Sequence, residues 1–131
     1  MLFSFLEEQT MLEAMWAVTF ASNVRVGPAP DANMGGGIVV LETGRVLGGD
    51  LGMTYVGDYK VTPDGKQVTA KVRVRRYRNI PGHQSVFGPL DLFELELHGT
   101  PAREVMVMEG NIVGHPDKRI HISFHRLEDL P

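Results

Sequence analysis

The sequence GRVLGGDLGMTYVGDY, residues 44–59, permits few folds. Tyr55, Gly57 and Tyr59 share one parity, while Thr54, Asp58 and Lys60 take the other. A period of two describes an extended strand with one apolar and one wet face. Residues 45–50 form a shorter run of the same kind, joined to it by three turn-forming residues. Gly48-Gly49 and Gly57 would weaken a flat strand. They suit a sheet that bends sharply or carries a bulge, as at the corners of a closed barrel.

The same period recurs along the chain. In Ala14–Ser22, Trp16, Val18 and Phe20 alternate with Met15, Ala17 and Thr19. Strands are expected next over residues 36–42, 45–50 and 54–61. Residues 67–77 alternate most cleanly, with Val68, Ala70, Val72 and Val74 against Thr69, Lys71, Arg73 and Arg75. Residues 92–98 place Phe93, Leu95 and Leu97 inward; residues 119–127 do the same with Ile120, Ile122 and Phe124. Residues 104–112 complete the set with no clear parity. Tight turns are expected at Thr43-Gly44, Thr62-Pro63-Asp64-Gly65 and residues 99–103. Two long links, residues 24–34 and 78–90, carry prolines that a central strand does not accept.

Eight strands with hairpin-like links and no internal helix predict an all-β, antiparallel up-and-down barrel over residues 14–131. Closure removes both sheet edges; a two-sheet sandwich is the alternative. Residues 1–13 read as an N-terminal extension. Within it Leu2, Phe5, Leu6 and Gln9 fall at helical spacing. Up-and-down order sends both long links to one rim, together with Asp50, His83 and His115.

A chain of 131 residues is one domain with room for a substantial core. Without cysteine there is no thiol catalysis, disulfide or cysteine-ligated zinc. A net charge of −3 with interspersed signs gives no general attraction to nucleic acid. No apolar run is long enough for a membrane helix and no secretory signal is legible, so no membrane association and a cytoplasmic location are expected.

Two positions resemble the calycin superfamily, which includes the lipocalins. Its pattern places a tryptophan early in the first strand and an arginine late in the last, packed over the indole; Trp16 and Arg126 match. The usual glycine two residues before that tryptophan is absent from Ala14-Met15-Trp16. A second resemblance covers most of residues 16–131. The run GxVLGGDxGxxYxGxY, then Arg75-Arg76-Tyr77, then Ser85-Val86-Phe87-Gly88-Pro89-Leu90 is similar to the GrlR-like family. Its namesake is a dimeric, lipocalin-like negative regulator of type III secretion genes that acts by binding an activator protein. The resemblance implies a homodimer, a regulatory protein partner, no enzyme activity and no direct nucleic-acid contact. The namesake's acidic run is replaced here by Thr62-Pro63-Asp64-Gly65-Lys66.

Chemistry-bearing residues are few. No nucleophile motif occurs, so no catalytic set and no cofactor are expected. His121 and His125, four apart on a strand of ~3.3 Å rise, stand too far apart to share a metal ion. Gly35-Gly36-Gly37 lacks the lysine and helix start of a phosphate loop. Asp50 is the best isolated carboxylate, with turn amides as its expected partners. A hydrolytic or isomerising site would need Asp50, His83 and His115 to converge. Lys71, Arg73, Arg75, Arg76 and Arg78 form one basic concentration, expected to pair with Glu94 and Glu96 across strands.

An eight-stranded barrel can be filled or can hold one small ligand. The interior candidates for contact with a small apolar ligand are Trp16, Phe20, Tyr55, Tyr59 and Val72, followed by Phe93, Leu95, Phe124 and Arg126. A binding or regulatory protein acting through protein partners is the leading expectation; a carrier or sensor of an apolar molecule is the alternative.

Overall fold

A computed structural model describes residues 11–28 and 32–131. The alternating runs become eight strands: β1 (Ala14–Ser22), β2 (Met34–Glu42), β3 (Arg45–Gly49), β4 (Met53–Val61), β5 (Val68–Arg76), β6 (Leu92–Gly99), β7 (Val105–Ile112) and β8 (His115–Asp129). Each pairs antiparallel with its chain neighbours, and β1 closes on β8 to complete the barrel. That seam runs from Ala14 opposite Asp129 to Ser22 opposite Ile120, with a bulge between Met15 and Trp16. The helical reading of residues 2–9 lies outside the described residues.

Parity decides what is inside. Val18, Val39, Val72, Leu95, Ile122 and Phe124 are buried, as alternation predicts. The ambiguous strand resolves with Met106, Met108 and Ile112 inward and Val105 and Val107 in solvent. Its sequence, VMVMEGNI, is apolar on both parities, so period alone offered no choice. At Gly57 a Cβ would overlap the Lys71 carbonyl oxygen of the neighbouring strand, so glycine serves a close strand approach there, and the ladders on both sides run without a bulge.

Most boundaries move by one or two residues from the sequence reading, and two differences have a local cause. Gly99 ends β6 instead of opening the turn, because it pairs with both Val68 and Met108. The last strand begins at His115, four residues earlier than expected. A tight turn at Val113-Gly114, with Gly114 at φ 82°, pairs Ile112 with His115. The register then shifts before Asn111 meets Arg119, so Pro116 sits in the irregular stretch and interrupts no regular ladder.

One end of the barrel is sealed. Trp16 is wholly buried there, its Nε1 donating to the Leu12 carbonyl at 3.0 Å. The indole meets Phe124 edge-on at 6.1 Å. Leu12, Val61, Val68 and Met106 pack the same end with almost no exposure.

Candidate functional site

Above that plug the barrel is hollow. A cavity of about 330 Å³ runs from the packed end to the rim that carries the long links. Its walls take Val18 and Phe20 from β1, Val39 and Leu41 from β2, Tyr55 and Tyr59 from β4, and Val72 and Val74 from β5. Phe93 and Leu95 from β6, Met106 and Met108 from β7, and Ile122 and Phe124 from β8 share in the lining. Small side chains make the room: Ala70 and Gly35 stand at lining positions where other strands carry large ones.

The 77–91 link folds inward over the mouth. Ser85 Oγ donates to the Gly88 carbonyl at 2.9 Å and accepts from the Phe87 amide at 3.1 Å. This tight loop drives Val86 and Phe87 into the barrel, where both are buried. Phe87 meets Phe93 edge-on at 5.4 Å, and Ser22 Oγ donates to the Val86 carbonyl at 2.6 Å. An apolar pair inside a stretch rich in proline and glycine was the sequence signal for this cover.

Polar groups enter the lining chiefly at the rim. Asp50 Oδ1 accepts from the amides of Gly52, at 2.9 Å, and Met53, at 2.8 Å, as expected of a turn aspartate. Its other oxygen accepts the Tyr55 hydroxyl. Burial, with that bond and the Asp50 charge, pushes the Tyr55 phenol far above its usual range. The Tyr77 hydroxyl reaches the carbonyls of Asp50 and Leu51 from outside, at 3.0 and 2.9 Å. His83 lies opposite this turn. Its Nδ1 is 3.3 Å from Arg76 Nη1, and Arg76 Nε donates to Asp91 at 2.7 Å.

Of the interior candidates, Phe20, Tyr55, Tyr59, Val72, Phe93, Leu95 and Phe124 line the cavity. Trp16 and Arg126 do not. The indole is the floor plug, and Arg126 lies beyond it, its guanidinium carbon 5.6 Å from the ring centroid. Of the mouth candidates, Asp50 and His83 border the cavity, whereas His115 is exposed at the start of β8 and takes no part in the lining. The three therefore do not converge there. His121 and His125 face solvent as expected, and no cluster of three metal-ligating side chains occurs among the described residues.

Arg76 is the residue whose place was misread. It lies on the inward parity of β5, at the mouth end, and its side chain is only 11% exposed. It does not belong to the outer basic ladder. That ladder forms one long ion pair, Lys71 with Glu94 at 3.9 Å.

No family model and no curated protein matches the chain. Among the described residues no helix is long and apolar enough to cross a membrane. The outer face of β5 and β6 bears Lys71, Arg73, Glu94 and Glu96.

Proposed function

We propose that the chain is a non-enzymatic binding protein whose barrel takes up one small apolar molecule. The hollow apolar interior carries this reading. At ~24 cal/mol per Å³, leaving 330 Å³ unfilled forgoes on the order of 8 kcal/mol of packing. That compares with a whole-domain stability of roughly 5–15 kcal/mol. An apolar occupant would recover part of that packing, which supports a use for the space. Native mass spectrometry of gently purified protein tests it: a non-covalent adduct that organic extraction removes is expected. A bare chain that also takes up no added apolar compound would count against it.

A second reading rests on the outer wall. Met15, Val40, Leu47 and Val56 lie in one cross-strand row on β1 to β4, and Leu47 is 43% exposed. Such a row suits a second copy of the chain, and the homodimer and regulatory partner implied by the GrlR-like resemblance belong to this reading, as does a cytoplasmic location. Leu47→Lys should then shift the sedimentation of the native protein from dimer to monomer. A native protein that already sediments as a monomer removes the homodimer.

A further inference from the structure

We infer that the barrel's ligand carries a neutral carbonyl oxygen, received at the mouth by the Nε2–H of His83. The inference rests on the reading of the cavity as a binding site and adds the chemical class of its occupant.

The tautomer follows from the neighbour. A guanidinium has only donors, so Arg76 Nη1 at 3.3 Å from Nδ1 requires the lone pair there. The ring proton then sits on Nε2. Among the described residues that nitrogen makes no hydrogen bond, and it is not among the fully buried unpaired atoms, while His83 borders the cavity. Nε2–H is thus a donor without a protein partner at the edge of an apolar chamber.

The ring is also held in place. Arg76 is fixed by Asp91 at 2.7 Å, and its Nη2 donates to the His83 carbonyl at 3.3 Å. On the other side the imidazole lies against Gly52, where an added Cβ would stand 3.1 Å from both Cε1 and Nδ1. A side chain there would push the ring back by a few tenths of an ångström. Gly52 in turn belongs to the turn fastened by Asp50. A donor braced from both sides meets a ligand atom with little loss of freedom on binding.

Charge and size narrow the class. Asp50 stands on the same rim with a carboxylate, and the Arg76 charge is paired with Asp91. A ligand carboxylate would meet Asp50 with no lysine or arginine among the described lining residues to offset it, so a neutral acceptor fits better. A cavity of about 150 Å³ takes up one benzene, so 330 Å³ has room for about a dozen non-hydrogen atoms. A ketone, aldehyde or ester of that size satisfies both limits.

Calorimetric titration of the full chain with butylbenzene, butyrophenone and 4-phenylbutyrate tests this. Butyrophenone should bind about tenfold tighter than butylbenzene, with 4-phenylbutyrate weaker than the ketone. In His83→Phe the ratio between the first two should fall to about one, and Gly52→Ala, which displaces the ring, should lower it as well. Equal affinity of butylbenzene and butyrophenone for the native chain would overturn the donor while leaving the cavity reading intact. Tightest binding of 4-phenylbutyrate would overturn the neutral class. Binding of none of the three removes the cavity reading itself.

Discussion

The Arg126 guanidinium lies over the Trp16 indole, 5.6 Å from the ring centroid, where the last strand closes on the first. It also donates to the carbonyls of Met11, at 2.8 Å, and Glu13, at 3.2 Å, and it pairs with Asp129 at 3.0 Å. One side chain thus fastens the start of the described chain to its end across the sealed floor. Cation–π attraction of this kind contributes about 0.5–2 kcal/mol.

Removing either partner should loosen the floor by different amounts. Trp16→Ala deletes a fully buried ring and should cost about 3–5 kcal/mol. Arg126→Lys keeps the charge but loses the planar fork that serves three carbonyls, of Met11, Glu13 and Arg103, and a ring at once, and should cost about 1–2 kcal/mol. Denaturant unfolding measures both. An Arg126→Lys midpoint equal to the native one would show the fork to be dispensable.

Two tyrosines four residues apart on β4 should respond oppositely to the same change. The Tyr55 hydroxyl is bonded to the Asp50 carboxylate, so Tyr55→Phe should cost about 1.5–3 kcal/mol. The Tyr59 hydroxyl is buried and makes no hydrogen bond of normal geometry among the described residues, although the Gly44 amide is near enough to act on it. Tyr59→Phe removes that uncompensated group and should leave stability unchanged or raise it by about 1 kcal/mol. A large loss in the second variant would mean that the hydroxyl has a partner in solution.

Alkaline pH provides a related measurement. Burial raises both phenols, for Tyr59 against the opposing effect of the Gly44 amide. Above the ordinary value of 10.0 the unfolded chain loses phenolic protons that the native chain keeps. Stability is therefore whole below that pH and falls as pH rises through it toward the folded-state values. Each Tyr→Phe variant should flatten part of that decline in melting temperature. An alkaline slope in either variant equal to the native one would contradict the assignment.

Thr43 carries an unusual backbone. Its φ is 51°, and with Gly44 at 77° the two form a tight turn whose central residues are both left-handed. A β-branched residue is poorly suited to that region, whereas asparagine tolerates it. Thr43→Asn should stabilise by about 0.5–1 kcal/mol, read as a higher melting temperature. A lower one would mean that the threonine side chain makes a compensating contact.

How much of this was legible in the sequence depends on how local each cause is. Alternation placed Val72, Leu95 and Phe124 inside because side-chain direction along a strand depends only on counting. The same count puts Arg76 inside, on the parity of Val72 and Val74, yet its charge and its neighbours Arg75 and Arg78 invited an exterior reading. Trp16 and Arg126 were paired correctly but given to the ligand chamber, because strand period says which face a residue takes and nothing of its depth. The cover formed by Val86 and Phe87 depends on a loop conformation set by Ser85, and no periodicity reports that. His83 became meaningful only once Gly52 and Arg76, remote in the chain, were seen on either side of it.

The account depends most on the interior being open and usable. Calorimetric titration of butylbenzene into the native chain and into Ala70→Phe, whose new ring would occupy the chamber, tests that most directly. The native protein should bind one molecule saturably, and Ala70→Phe should bind none while still melting cooperatively. Absence of binding to the native chain, or undiminished binding to Ala70→Phe, would contradict it.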